Sequence, residues 1–219
     1  MAIQPLVARN NYWNKRFEKG QIYGLRESKI VRFYFRYLEK DDRLLEIGGG
    51  GGRDSAWLAE KGFKNIICTD VSENAINAAI KSFQNLGILF EAKDISNIGY
   101  AAGRFESIFS VYAMSLFTCE ERNGIFQQAR MLLVPKGKFF NNFLSLDDSE
   151  YNKGRKIGKN MFNPEDVQSI QFFSMNDVIM LHENNGFRIA KIKKIEEERL
   201  LFGKRDISRS WAVFAEKTD

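Results

Sequence analysis

Histidine, cysteine and proline are scarce: 219 residues contain one, two and three of them respectively. The two cysteines, Cys68 and Cys119, lie in or beside apolar segments with no C-x-x-C spacing. That pattern argues against a disulfide framework and against a zinc or other metal site, and it assigns both residues to packing. Three prolines and no long polar tract leave little room for a disordered linker. No apolar run approaches the roughly 18 residues of a membrane-spanning helix, and Met1 to Asn10 lacks the apolar centre of a signal peptide. The expectation is a soluble, cytoplasmic chain with no membrane partner. Charge of one sign is not concentrated either. A net charge of +5 spread along the chain adds little to a nucleic-acid reading and suits an anionic small substrate equally well. The single histidine, His182, falls on a helical stretch one turn after Val178 and reads as a structural or surface residue.

What the chain does contain is a run of five glycines. Leu44-Leu45-Glu46-Ile47 is a short apolar strand that breaks into Gly48 to Gly52 and then, from Arg53-Asp54, into a helical pattern. A strand feeding a glycine turn that opens a helix is a cradle for a ligand. Without Cβ atoms the backbone lies close against a bound group, and the helix start offers free N–H groups and partial positive charge. The dinucleotide pattern G-x-G-x-x-G fails, because its last position falls on Arg53 or Asp54, and no Gly-Lys-Ser/Thr follows for a P-loop. Acidic-x-Gly-x-Gly-x-Gly does fit, as Glu46, Gly48, Gly50 and Gly52.

In that register the chain resembles the class I S-adenosylmethionine-dependent methyltransferases, and three further stations follow in order. Asp70, at the end of the strand Ile66 to Thr69 and about twenty positions after the cradle, stands where an acid takes both ribose hydroxyls; its alternative is a helix N-terminal acid favoured by the dipole. Asp94 and Ile95, after a strand at Ile88 to Phe90, match the family's adenine-binding pair, unless Asp94 is a plain loop residue. Phe105 to Val111 is the fourth strand and leads into the acceptor-facing motif. The resemblance implies S-adenosylmethionine as cofactor, held by Glu46, Gly48, Gly50, Gly52, Asp70, Val71, Asp94, Ile95 and Val111, with Gly49 and Gly51 at positions that tolerate other small residues. Val111-Tyr112-Ala113-Met114 lacks the Asn/Asp-Pro-Pro-aromatic signature of enzymes that methylate nucleobase amines.

Around these stations the periodicity predicts a helix from Ser28 to near Asp41-Asp42, and helices after the glycines and after Ser72. Further helices are expected after the capping boxes Thr118/Glu121 and Ser174/Asp177. Strands are expected at Lys138 to Phe143, Phe187 to Ile192 and Ser210 to Ala215. The implied fold is α/β and Rossmann-like, a seven-stranded, mostly parallel sheet with helices on both faces and an antiparallel last strand. One domain spans 1–219: an N-terminal cap segment and helix (1–42), a cofactor-binding half (43–143), then a lid loop and substrate-side half (144–219). The aromatic stretch from Asn11 to Gly24 is not clearly helical. Its Tyr12, Trp13 and Phe17 either cap a cleft or pack the extension onto the domain. Residues 144–173 read as an irregular lid or solvated insertion, and Glu196-Glu197-Glu198 as solvated.

The reaction implied is methyl transfer by in-line displacement to a small-molecule acceptor, with Tyr12, Trp13, Tyr112 and Ser115 as acceptor-lining candidates and no catalytic base identified. The N-terminal Tyr-Trp-Asn segment and the Gly-Arg-Asp step look similar to the thiopurine and tellurite-resistance group. A nucleic-acid partner is disfavoured, and the state expected is monomer or homodimer. An RNA or protein acceptor, a non-catalytic cofactor-binding module and, least favoured, a nicotinamide oxidoreductase are the alternatives.

Overall fold

A computed structural model describes residues 6–19, 26–164, 169–201 and 204–219. Its elements are α1 (Leu6–Glu18), α2 (Lys29–Tyr34), β1 (Leu44–Ile47), α3 (Arg53–Glu60), β2 (Ile66–Asp70), α4 (Glu73–Phe83), β3 (Leu89–Ala92), β4 (Phe105–Ser110), α5 (Cys119–Leu132), β5 (Leu133–Leu144), β6 (Arg155–Gly158), β7 (Met161–Asn163), β8 (Ile170–Gln171), α6 (Met175–Asn184), β9 (Phe187–Leu201) and β10 (Lys204–Lys217). Seven strands form one sheet in the order β3-β2-β1-β4-β5-β10-β9. The first five run parallel, and β10 is antiparallel to both neighbours. The order reverses between β1 and β4, so their carboxyl ends open the crevice where such sheets bind ligands.

Alternation along β5 fills both faces of the sheet. Phe139 and Phe143 pack with Phe126 of α5, Val178 of α6 and Phe187 on one side; Phe140 packs with Ile30, Val31 and Tyr34 of α2 and with Phe214 on the other. These phenylalanines and aliphatics are nearly all buried, each fully buried side chain contributing about 1.5–3 kcal/mol. Both expected capping boxes form, with Thr118 and Ser174 accepting from Glu121 and Asp177 N–H groups.

Several expectations are corrected. Leu6–Glu18 is a helix, because contacts to α4 outweigh its weak periodicity; Tyr23-Gly24 lies outside the described residues. The helix after Ser28 stops at Tyr34 rather than near Asp41, where a Tyr37 N–H to Tyr34 carbonyl bond tightens the chain into turns. The stretch 144–173 contains a three-stranded sheet in the order β6-β7-β8, supported by Phe162, Ile170 and Phe172. The last two strands are longer than the alternating cores that announced them. Cys119 is exposed at the start of α5 rather than packed, whereas Cys68 is buried. Glu197 is buried, not solvated.

Candidate functional site

Beyond β1 the glycine loop turns through positive φ at alternate residues: 68° at Gly48, 54° at Gly50 and 75° at Gly52. This is the register that the sequence singled out, and side chains rarely adopt it. The three do different things. A Cβ on Gly48 would meet Ala113 at 3.0 Å and one on Gly50 would meet the Phe17 ring at 3.3 Å, so both border the space above the loop. Gly52 faces away: a Cβ there would come within 2.6 Å of the Phe90 ring, and the residue does not line the cavity. Gly49 is the unexpected constraint. Its Cβ would fall 2.4 Å from Cys68 Sγ and 2.8 Å from Glu46 Cδ, which corrects its reading as a tolerant position; at Gly51 the nearest atom is 3.9 Å away.

The cavity over this loop is lined by Glu46, Gly48, Gly50, Asp70, Val71, Asp94, Ile95 and Val111, eight of the nine expected cofactor positions. Four carboxylates line it. Glu46 is buried and accepts from the Ser55 hydroxyl; burial first, then the charge of Asp54, raises its pKa to about 7. Asp54, also buried, accepts from the Ser28 N–H at 2.7 Å and the Ser28 hydroxyl at 3.0 Å, and burial raises its pKa. Asp70 accepts from Gly50 N at 2.8 Å and Ser72 N at 2.9 Å, fixing the loop against α4; burial raises its pKa against these bonds. Asp94 accepts from Ser96 N–H through Oδ1, while its buried Oδ2 has no protein partner. An unpaired, buried carboxylate oxygen in a cavity wall calls for a donor from a ligand.

The other end of the cavity is apolar and aromatic: Trp13 and Phe17 of α1, then Tyr112, Leu116 and Phe117 after β4. α1 is fixed over the loop by Asn14, whose Oδ1 accepts from the Ser72 hydroxyl at 2.7 Å and from Asn74 N at 3.2 Å at the start of α4. Tyr112 has φ 60°, a conformation costly for a bulky residue. Its N–H donates to Asn142 Oδ1 at 2.7 Å and its hydroxyl to Glu197 Oε1 at 2.7 Å, and Glu197 also accepts from the Lys29 N–H. Arg122, buried, donates to the Met114 and Phe117 carbonyls and to Gln171, tying the wall to β8. Of the acceptor candidates, Trp13 and Tyr112 line the cavity. Tyr12 does not, its hydroxyl accepting from Arg16. Ser115 does not either: it is buried and accepts from Leu144 N at 2.9 Å.

The sequence shows no sign of the partners of Asn14 and Asn142, which lie dozens of positions away, and it leads to the expectation that Glu197 is solvated. His182 is a core residue, with Nδ1 2.8 Å from the Val178 carbonyl and Nε2 3.1 Å from Asn141 Oδ1. Among the described residues no cluster of His, Cys, Asp and Glu could hold a metal, and no helix is long and apolar enough to cross a membrane.

Comparison with known proteins agrees with this geometry. Residues 44–137 match a family model described as a methyltransferase domain. A phosphoethanolamine N-methyltransferase of Plasmodium falciparum is 30% identical over 101 residues, 46% of this chain; the chain's match covers 38% of that enzyme's length. A SAM-dependent methyltransferase from Methanosarcina mazei superposes with a TM-score of 0.73 at 20% identity, over 85% of this chain and 97% of its own. The 1,6-didemethyltoxoflavin-N1-methyltransferase of Burkholderia thailandensis, solved with its substrate and S-adenosylhomocysteine, gives 0.77 at 16% identity, over 100% and 92%. Residues 44–137 therefore match a methyltransferase domain, and the chain has the fold of S-adenosylmethionine-dependent methyltransferases.

Proposed function

We propose that the protein transfers the methyl group of S-adenosylmethionine to a small-molecule acceptor. The observation that carries this reading is the acceptor end of the cavity, roofed by Trp13 and Phe17 and walled by Tyr112, Leu116 and Phe117. Aromatic enclosure of this kind suits a small, flat or partly apolar molecule, with a few polar groups setting its orientation. A nitrogen acceptor is the version favoured by the relatives, since the Plasmodium and Burkholderia proteins are both N-methyltransferases.

In this reading Gly48 and Gly50 bring backbone against the cofactor, and Asp70 accepts from its ribose hydroxyls. Val71, Ile95 and Val111 line its walls, Glu46 faces its amino acid end, and Asp94 takes the adenine amino group on its unpaired Oδ2. Gly52 supports the loop from behind. The cofactor supplies an activated methyl on a cationic sulfur. The chain's task is to hold an acceptor in line with it and keep water out. Trp13, Phe17 and Phe117 exclude water, and Tyr112 positions the acceptor from a backbone locked by Asn142 and Glu197. Residues 1–219 then act as one domain, working in the cytoplasm as a monomer or homodimer.

The test is to incubate the purified chain with S-adenosylmethionine and a panel of small amines and N-heterocycles, measuring S-adenosylhomocysteine by mass spectrometry. Product from at least one acceptor, lost in Trp13→Ala, is expected. Product only with RNA or protein acceptors would overturn the reading. Tight cofactor binding without turnover on any acceptor would identify a non-catalytic module.

A further inference from the structure

A second groove lies between α2 and β9. Lys29, Arg32, Arg36, Lys193 and Lys194 surround a partly apolar floor that includes Phe33. In sequence these cations fall in two segments about 160 residues apart, so the concentration is created by folding. Arg32 is tied to Glu27, and Lys194 to Asp147 at 2.8 Å. The one acid of the lining, Glu196, has its carboxylate drawn away by Arg209 at 2.7 Å, and only its backbone carbonyl meets the Lys29 ammonium, at 3.0 Å. No carboxylate among the described residues pairs with Lys29, Arg36 or Lys193. Three uncompensated cations around one concavity repel one another, and a bound anion relieves that repulsion.

We propose that this groove binds an organic polyphosphate, its phosphoryl chain lying along Lys29, Arg36 and Lys193 and its organic portion resting on Phe33. Two features select the ligand class. Several cationic groups, Lys29 on α2, Arg36 just beyond its end and Lys193 on β9, border one concavity, which suits several linked anionic groups better than a single carboxylate. Arg36 adds a forked donor set that matches phosphoryl oxygens in pairs, while the two lysines act as point charges. The groove is separate from the cofactor cradle but adjoins it: the Lys29 backbone N–H donates to Glu197, which in turn holds the Tyr112 hydroxyl in the cavity wall.

Calorimetric titration with sodium tripolyphosphate and with ATP, of the wild-type chain and of Arg36→Gln/Lys193→Gln, tests this. Saturable one-site binding is expected, weakened roughly tenfold or more in the variant because two charge-assisted contacts are lost. S-adenosylhomocysteine affinity should be unchanged, which also shows that the variant is folded; if it is not, Arg36→Gln alone replaces it. Absence of saturable binding, or equal binding by wild type and variant, overturns the proposal. So does binding of a single-stranded RNA 20-mer that the substitutions weaken while tripolyphosphate does not bind, which would assign the face to nucleic acid.

Discussion

Replacing Gly49 and Gly51 separately by alanine puts one methyl group into one loop at two places with opposite surroundings. At Gly49 the new Cβ would lie 2.4 Å from Cys68 Sγ, 2.8 Å from Glu46 Cδ and 2.9 Å from Glu46 Oε2. Optimal carbon contacts lie near 3.5–4.0 Å, so the backbone or both neighbours must move by about an ångström. Neither neighbour moves freely. Cys68 is buried within β2, and Glu46 is buried and held by the Ser55 hydroxyl. Neither Gly49 nor Gly51 has a positive φ, so the cost at Gly49 is steric crowding, about 1–3 kcal/mol. At Gly51 the nearest atom is a Phe17 ring carbon at 3.9 Å, and alanine should be neutral or stabilising by up to roughly 1 kcal/mol through the unfolded state. Urea unfolding measures both through the midpoint at constant slope. A third variant, Cys68→Ala, removes the nearest atom. In the double variant with Gly49→Ala the penalties should be less than additive by about 0.5 kcal/mol or more. Midpoints for Gly49→Ala and Gly51→Ala that agree within about 0.5 kcal/mol, or a strictly additive cycle, would refute the crowding argument.

Two predictions concern the cofactor. Asp94→Asn should weaken S-adenosylhomocysteine binding by about 1.5–3 kcal/mol in calorimetry. The amide oxygen can keep the Ser96 N–H and so preserve stability, but an NH2 donor then replaces the unpaired Oδ2; unchanged affinity would remove Asp94 from the site. Asn14→Ala deletes two bonds between α1 and α4, so S-adenosylhomocysteine should dissociate roughly 5- to 30-fold faster in stopped-flow displacement, the equivalent of about 1–2 kcal/mol. An unchanged dissociation rate would mean that α1 does not roof the cofactor.

The cavity over the glycine loop was legible because its determinants are local. Glycines at alternate positions, an acid at each of two strand ends and apolar strands of ordinary length all lie within 44–95, and the structure brings them to one edge of the sheet. What no local pattern carried is the aromatic end of that cavity. Tyr112 owes its positive φ and its place in the wall to Asn142 on β5 and Glu197 on β9, 30 and 85 residues away. Glu197 looked solvated because it stands in a run of three acids; alternation along β9 turns it inward while exposing its neighbours. Ser115 looked like a pocket residue because it follows a strand end, yet its hydroxyl accepts from Leu144 N–H. The crowding at Gly49 was equally invisible, since it depends on which face of β2 presents Cys68.

The same long-range burial sets up opposed pH dependences, with Glu46 and His182 at the two extremes. Glu46 has its pKa raised from 4.5 to about 7, chiefly by burial. Between those values the native state binds the proton and the unfolded state does not, so Glu46 favours folding at low pH and loses that contribution as pH rises towards 7. His182 is shifted the other way, from 6.5 to about 4, because burial in the core disfavours its charged form. Between pH 4 and 6.5 the unfolded state takes the proton, so the His182 contribution is complete above 6.5 and is lost as pH falls towards 4. The two contributions act with opposite signs over nearly the same pH window, each on the order of a few kcal/mol at most. The two contributions therefore oppose each other, and the burial-raised Asp54 and Asp70 act in the same direction as Glu46. Relative to wild type, Glu46→Gln should tilt the urea midpoint between about pH 4.5 and 6.5 towards rising with pH, whereas His182→Gln should tilt it towards falling. A Glu46→Gln profile with the wild-type slope would mean that burial does not set these two protons against each other.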